Sequence, residues 1–401
     1  MRKSFMFTGT AVLAMSFAVA LISSQALGAT AVTPQQAAWL EKANIDRYQP
    51  ATEDWDAIYE AAKKEGKVVV YSLSSRIFKA VETFKKAYPG VEVEAYDMLT
   101  VDQIDKLTRE QAAGIHNVDI LFMADVTTLV KEILPKRLVW NYVPTTLLGG
   151  QKAESVIPAD LRGPPLAHSL ETKVVFYNFE SYPKCPINTL WDLTRPEWRG
   201  RVQMKDPLQS VENMNFLQMI VKYADKMAET YKEEFGESIK LSPGSKNAGY
   251  EFILRLVKNN LVLTTSDGDA SKAVGTPGQT KPPLSLSVSS SKLRDNKTKG
   301  LKLAIGWDIR PVVGFTKRNF LVMANLAPHP NAAKLMIRWM LGDQKGGAGM
   351  KPWLVPGQWP SRSDVKPVVG KIEDLRKSSW FLDPDWIYNQ GLEVRDFWMA
   401  R

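Results

Sequence analysis

The chain has 401 residues, with 52 Lys and Arg against 43 Asp and Glu, for a formal net charge of +9. A composition of 44% hydrophobic and 24% charged residues predicts a packed core and excludes a disordered or fibrous chain. Lys and Arg are interleaved with Glu and Asp along the whole length, with no dense basic block, so the excess reads as solvated surface charge and no nucleic-acid partner is expected.

Arg2 and Lys3 open the chain, followed by an uncharged stretch from Ser4 to Gly28 whose apolar heart runs from Ala11 to Ile22. Ala26 and Gly28 stand at the spacing a leader peptidase reads. This predicts a signal peptide over residues 1–28, cleaved near Gly28–Ala29; the small and polar residues at its end argue against an uncleaved membrane anchor. No cysteine stands at the cleavage point to carry a lipid, so a free periplasmic protein is expected, with a charge of about +7 once Arg2 and Lys3 are removed. Cys185 is the only cysteine, so no internal disulfide can form.

About 370 mature residues exceed one usual core and predict two domains. Residues 29–58 read as a polar arm anchored by Trp and Tyr. Gly66 closes a helical end, and Lys67–Tyr71 is a β-branched run of the kind buried on both faces. Ser72–Ser75 then leads into a helix with Ile77, Ala80, Val81 and Phe84 on one face. Val91–Tyr96 alternates as a strand, a helix carries Val101, Ile104 and Leu107, and Val118–Met123 is a third strand. This alternation implies βαβ units and a mainly parallel sheet. Beyond residue 165 the pattern resumes, with strands at Lys173–Asn178, Arg201–Met204 and Leu261–Thr265, and helices at Asn213–Met227 and Ala248–Lys258. Residues 275–300, rich in Gly, Pro, Ser and Lys, read as a long loop or mobile hairpin.

The run Leu190-Trp191-Asp192-Leu193-Thr194-Arg195-Pro196-Glu197-Trp198-Arg199-Gly200, followed by a strand ending at Asp206-Pro207, resembles the signature of extracellular solute-binding proteins of the ferric-ion-binding type. Ala327–Lys334, Glu60–Tyr71, Tyr88-Pro89-Gly90 and Pro360–Val365 resemble further segments of that family, in order, over residues 59–370. The resemblance implies an α/β type II periplasmic-binding fold, with two lobes joined by two crossover strands around a ligand cleft. It implies a first lobe built from 59–170 and 310–401 and a second from 171–309, with crossovers near Leu166–Tyr177 and Leu301–Val313. The expected partners are a small-molecule ligand and the permease and ATPase of an ABC importer, with the protein itself a monomer; no cofactor is called for.

Ligands of open α/β sheets bind beyond the C-terminal ends of strands, where helix N-termini offer free N–H groups. That rule selects four segments. Ser72, Ser74, Ser75 and Arg76 bring hydroxyls and a guanidinium to a helix start, although either Ser74 or Ser75 alone is as readily a plain cap. Asp125 follows the third strand and equally fits an N-cap. Asp206, Ser210 and Asn213 belong to the loop that the resemblance puts on the cleft wall. Asp267 is joined by Trp307, Asp308 and Arg310 at the expected return crossover; Trp307 fits a stacking platform or the core, and Arg310 fits an anion clamp or an ion pair.

Ferric-binding members of the family use adjacent tyrosines, and no Tyr-Tyr pair occurs in this chain; His116, His168 and His329 are isolated. No phosphate-binding loop or Gly-x-Ser-x-Gly elbow is present. The sequence therefore reads as a non-enzymatic receptor for a small polar, anionic organic solute. Ferric ion or a ferric chelate is the alternative, and an enzyme or sensor subunit on the same scaffold is the rival class.

Overall fold

The computed structural model describes residues 30–370 and 372–401; the expected leader and its cleavage point lie outside them. Twelve strands form one mixed sheet: β1 (Lys67–Ser72), β2 (Glu92–Asp97), β3 (Ile120–Met123), β4 (Val139–Trp140), β5 (Leu166–Asn178), β6 (Val202–Lys205), β7 (Val262–Thr264), β8 (Leu284–Ser289), β9 (Leu303–Ile305), β10 (Gly314–Ala324), β11 (Gln358–Pro360) and β12 (Ser379–Phe381). Its order is β2-β1-β3-β10-β5-β8-β6-β7. At one end β2, β1 and β3 are parallel, and at the other β8, β6 and β7 are parallel. The long strands β5 and β10 lie antiparallel between these two wings and tie them together.

The local causes are those the sequence carries. Val68, Val69, Val70 and Tyr71 are buried, as a strand with helices on both faces requires. The helix Trp55–Glu65 ends at Gly66, whose φ of 81° is the left-handed conformation glycine adopts without strain. The arm is ordered: Thr33 and Gln36 form a capping box for the helix Pro34–Ala43, and the Trp39 indole donates to the Ala327 carbonyl at 3.0 Å.

One large core gathers residues from 40–170 and 320–375, and a second gathers residues from 175–315 with Val394 and Trp398. Those last two belong to the C-terminal helix Pro384–Met399. It packs against the segments Val126–Thr128 and Leu129–Ile133 and also along the helix Val211–Lys222. The Gln218 amide donates to the Gly391 carbonyl at 3.0 Å in that contact.

Two expectations are corrected. Residues 275–300 are not one long loop, because Leu284–Ser289 form the buried strand β8 between β5 and β6. Its alternating Leu, Ser, Leu, Ser, Val, Ser is a strand pattern in which short hydroxyls bond inward. Ser285 Oγ accepts from the Phe176 amide, and Ser287 Oγ donates to Asn213. The return strand is also not Leu301–Val313. That segment holds only the short β9, and the crossing is made by β10, from Gly314 onward.

Candidate functional site

The two crossing strands build the floor of a cleft of about 460 Å³, a size suited to a small solute. Strand alternation brings Glu171 and Lys173 of β5 to the face that also carries Lys317 of β10, with Lys317 directly across from Glu171. All three are buried, so each charge requires a partner. The Glu171 carboxylate accepts from Ser291 Oγ at 3.1 Å, from Asn319 Nδ2 at 3.3 Å and from Ser289 Oγ. Arg76 Nη2 approaches it at 3.4 Å. Burial alone would raise this carboxyl, but the Lys317, Arg76 and Arg294 charges and the Ser289 hydroxyl hold it well below the usual carboxylate range.

Two more pairs flank the first. Lys173 Nζ donates to both oxygens of Asp267 at 3.1 and 2.9 Å, and the Ser289 amide donates to the same carboxylate at 2.9 Å. Lys317 Nζ donates to Glu212 at 3.3 Å, and Ser210 Oγ donates to the other Glu212 oxygen at 3.0 Å. Burial opposes the charge on Glu212, yet Lys317 and Lys173 push its carboxyl down to about 2. Burial likewise opposes the charge on Lys317, and Glu212, Glu171 and Asp267 more than restore it, so its ammonium stays protonated. Arg76 donates to Gln358 Oε1 at 2.5 Å and to Ser74 Oγ at 3.1 Å; burial lowers it to about 10, with Glu171 opposing and Arg294 adding to the shift.

With Arg76–Glu171, Lys173–Asp267 and Lys317–Glu212 paired, the cleft retains Lys205 and Lys292 against Asp97 alone among its described residues, and Arg294 also lines it with its Nε 3.7 Å from Asp295. Lys292 is lowered by burial and by the neighbouring Arg294, with Asp267 and Asp295 opposing. Four helices of nine or more residues begin at the cleft: Ile77–Ala87, Thr100–Ala112, Val211–Lys222 and Asp267–Gly275. Their N-terminal dipole ends add to the positive potential.

Of the residues selected from sequence, Ser74, Ser75, Arg76, Ser210 and Asp267 line the cleft. Ser210 is also the N-cap of its helix, accepting from the Asn213 amide at 3.3 Å. Ser72 is buried behind the loop, where its hydroxyl accepts from the Ser74 amide and donates to the Ser74 carbonyl. Asn213 is buried too and donates to the Lys205 carbonyl at 2.8 Å, holding β6 to the helix. Asp125 caps Val126–Thr128, accepting from Thr128 N at 3.1 Å. Asp206 caps Pro207–Gln209 and lies in a separate shallow pocket with Leu208 and Leu263. Trp307, Asp308 and Arg310 are exposed and away from the cleft. Arg310 is held outward by Glu233 at 2.5 Å and Glu234 at 3.0 Å, because the segment carrying it turns before the crossing strand begins.

Sequence reasoning missed Glu171, Lys173, Glu212, Lys292, Arg294 and Lys317. The available signal was charge at every second position of otherwise apolar strands, as in Leu170-Glu171-Thr172-Lys173, a pattern that marks a polar seam inside a sheet. No tyrosine or histidine is among the described residues lining the cleft.

No protein-family model matches the chain, and no curated protein matches it by sequence. Solved structures match its fold over most of both chains. Iron-bound HitA from Pseudomonas aeruginosa superposes with a TM-score of 0.63 at 16% identity, covering 82% of this chain and 99% of its own. The apo ferric ion-binding protein A of Pasteurella haemolytica gives 0.60 at 18% identity, covering 84% and 97%. The substrate-binding protein of an ABC transporter from Agrobacterium tumefaciens gives 0.57 at 17% identity, covering 83% and 94%. The fold is therefore the two-lobed α/β fold of periplasmic binding proteins.

Proposed function

We propose that this chain is a periplasmic solute-binding protein that captures a small organic anion, phosphorylated or carboxylated, and delivers it to the permease and ATPase of an ABC importer. The ligand class rests on one observation. After the three internal ion pairs are formed, Lys205 and Lys292 face the cleft with only Asp97 among its described residues to balance them, and Arg294 joins them with its Nε 3.7 Å from Asp295. An anion there supplies the missing charge in a partly dehydrated site fed by helix N-termini. The transport role is supported by the fold it shares with binding proteins, one of them described as part of an ABC transporter; fold by itself does not fix function.

Binding is favoured over catalysis because Glu171 and Glu212 are held ionised by their cations, so neither is poised to exchange a proton near neutral pH. Bare ferric ion is the second reading, from the iron-bound and ferric ion-binding proteins whose structures are similar. It is disfavoured because the cleft offers no phenol or imidazole among its described residues and three of its four carboxylates are committed to cations.

The reading is tested by thermal unfolding of ligand-stripped protein with glycerol 3-phosphate, citrate, glycerol, putrescine and ferric nitrilotriacetate. A ligand present at a thousand times its Kd stabilises by about 4 kcal/mol. Anions should raise the midpoint, while glycerol and putrescine leave it unchanged. Stabilisation by the ferric complex alone would replace the organic anion by iron.

A further inference from the structure

A second cavity, of about 1210 Å³, shares only Arg76 and Arg294 with the cleft among the described residues. One wall is the helix Ile77–Ala87, another is the segment from Leu293 to Lys299, and the loop Lys351–Pro356 with Val368 completes it. Its volume is well above that of the cleft and admits a larger body.

Its lining is both basic and apolar. Its two carboxylates are already matched, Glu82 by Lys86 at 3.2 Å and Asp295 by Lys299 at 3.0 Å. Lys79, Lys297 and Lys351 line it with no acidic partner among the described residues. Arg294 adds a guanidinium that spends Nη1 on Ser291, sets Nε 3.7 Å from Asp295 and leaves Nη2 without an acceptor among the described residues. Between these charges lie Leu293, Leu354, Val355 and Val368, the last 53% exposed. A purely hydrophilic anion would leave that apolar surface wet, and a neutral apolar compound would leave the cations unmatched.

We propose that this cavity is a second ligand site, for an amphipathic monoanion: one carboxylate or similar group on an apolar body the size of a naphthalene ring or a medium acyl chain. It does not rest on the transport reading, since none of Lys79, Lys351, Leu354 and Val368 lines the cleft.

Calorimetric titration with 2-naphthoate and with dodecanoate tests it, with 2-naphthylmethanol and acetate as the uncharged and tail-less controls. At least one amphiphile should bind saturably, with each control about tenfold weaker or worse. Lys351→Glu and Val368→Asp both alter exposed positions, so circular dichroism should show them folded, and each should weaken the amphiphile about tenfold or more. Lys205→Glu, on the cleft, should not weaken it. Absence of saturable binding of either amphiphile below about 1 mM, or equal binding of 2-naphthylmethanol, overturns the proposal. So does loss of binding in Lys205→Glu while Lys351→Glu binds normally, since that places the probe in the cleft.

Discussion

Lys317 stands directly opposite Glu171 across the β10–β5 pair, yet its ammonium donates to Glu212, which comes from the first turn of the helix Val211–Lys222. One buried lysine therefore faces two buried carboxylates, one on a crossing strand and one on a helix start. Lys317→Met removes that charge while nearly keeping the volume. Breaking a buried pair from one side costs about 3–5 kcal/mol, and the variant should lose about that much in urea unfolding at pH 7. Glu212 then loses its bonded cation and Glu171 one of its neighbouring charges, so both titrate higher than in the parent and protonation relieves part of the penalty. The gap to the parent should shrink between pH 7 and pH 5; a gap independent of pH would show that Lys317 contributes packing and not charge balance.

The parent should respond to acid in the opposite sense. Glu212 is pushed down to about 2 and Glu171 is held lower still, so both are ionised in the folded state well below the unfolded glutamate value of about 4.3. A depressed carboxylate contributes stability that is complete above the unfolded value and is lost as pH falls toward the folded one. Urea midpoints should therefore drop steeply between about pH 4.5 and 2. A flat profile there would mean the two glutamates are not paired in solution.

His168 sets a separate window. It is fully buried against Phe122 and Trp353, and its ring nitrogens lie 3.0 Å from Ser169 Oγ and from the Met340 carbonyl. Burial lowers its pKa to about 3, the Met340 bond opposing. The unfolded chain binds a proton near pH 6.5 that the folded one refuses, so stability falls by up to about 1.4 kcal/mol per pH unit below 6.5. His168→Phe should cost about 1–3 kcal/mol at pH 7 by stranding the Met340 carbonyl, and should remove the slope between pH 6.5 and 5.

How far the sequence foretells this molecule depends on the kind of residue. Val68–Tyr71 and the Gly66 cap are legible because hydrophobic periodicity and a left-handed glycine act locally. The Ser74–Arg76 and Ser210 segments are legible because helix starts after strands obey a topological rule. The polar seam is harder to read. Glu171 and Lys317 are separated by 145 intervening positions, and only strand register makes them neighbours. β8 was misread because serine is a turn former locally, while its hydroxyl is also a short donor that fits a crowded sheet. For Arg310 the sequence leaves anion clamp and ion pair open, because its partners, Glu233 and Glu234, come from a distant helix.

Arg310 is a surface ion-pair residue. Its side chain is 45% exposed and engages Glu233 and Glu234 away from the cleft. Exposed pairs of this kind are worth about 0–1 kcal/mol. Arg310→Ala should lower stability by no more than that and should leave the affinity for the anion selected in the thermal screen unchanged. A tenfold loss of affinity in folded Arg310→Ala would return this residue to the binding site.

Lys292 combines features that separate a ligand contact from a structural one. It lines the cleft, its ammonium has no carboxylate within bonding distance among the described residues, and burial and Arg294 both disfavour its charge. A lysine whose folded pKa is depressed weakens the folded state wherever it must remain protonated, and that penalty eases only as pH rises. Lys292→Met should therefore leave the ligand-free protein at least as stable as the parent at pH 7. Its affinity for the anion from the thermal screen should nevertheless fall by about ten- to a hundredfold, the cost of losing a charge-assisted hydrogen bond of about 1.5–3 kcal/mol. Because the ligand adds negative charge beside it, Lys292 in the complex should titrate higher than in the free protein. Binding by the parent should then weaken above the ligand-free pKa of Lys292, and binding by Lys292→Met should not share that alkaline loss. Calorimetry across pH 7 to 10.5, with urea unfolding of both proteins, reads all three effects. A destabilised variant with undiminished affinity would make Lys292 a scaffold residue and leave the anion to Lys205 and Arg294.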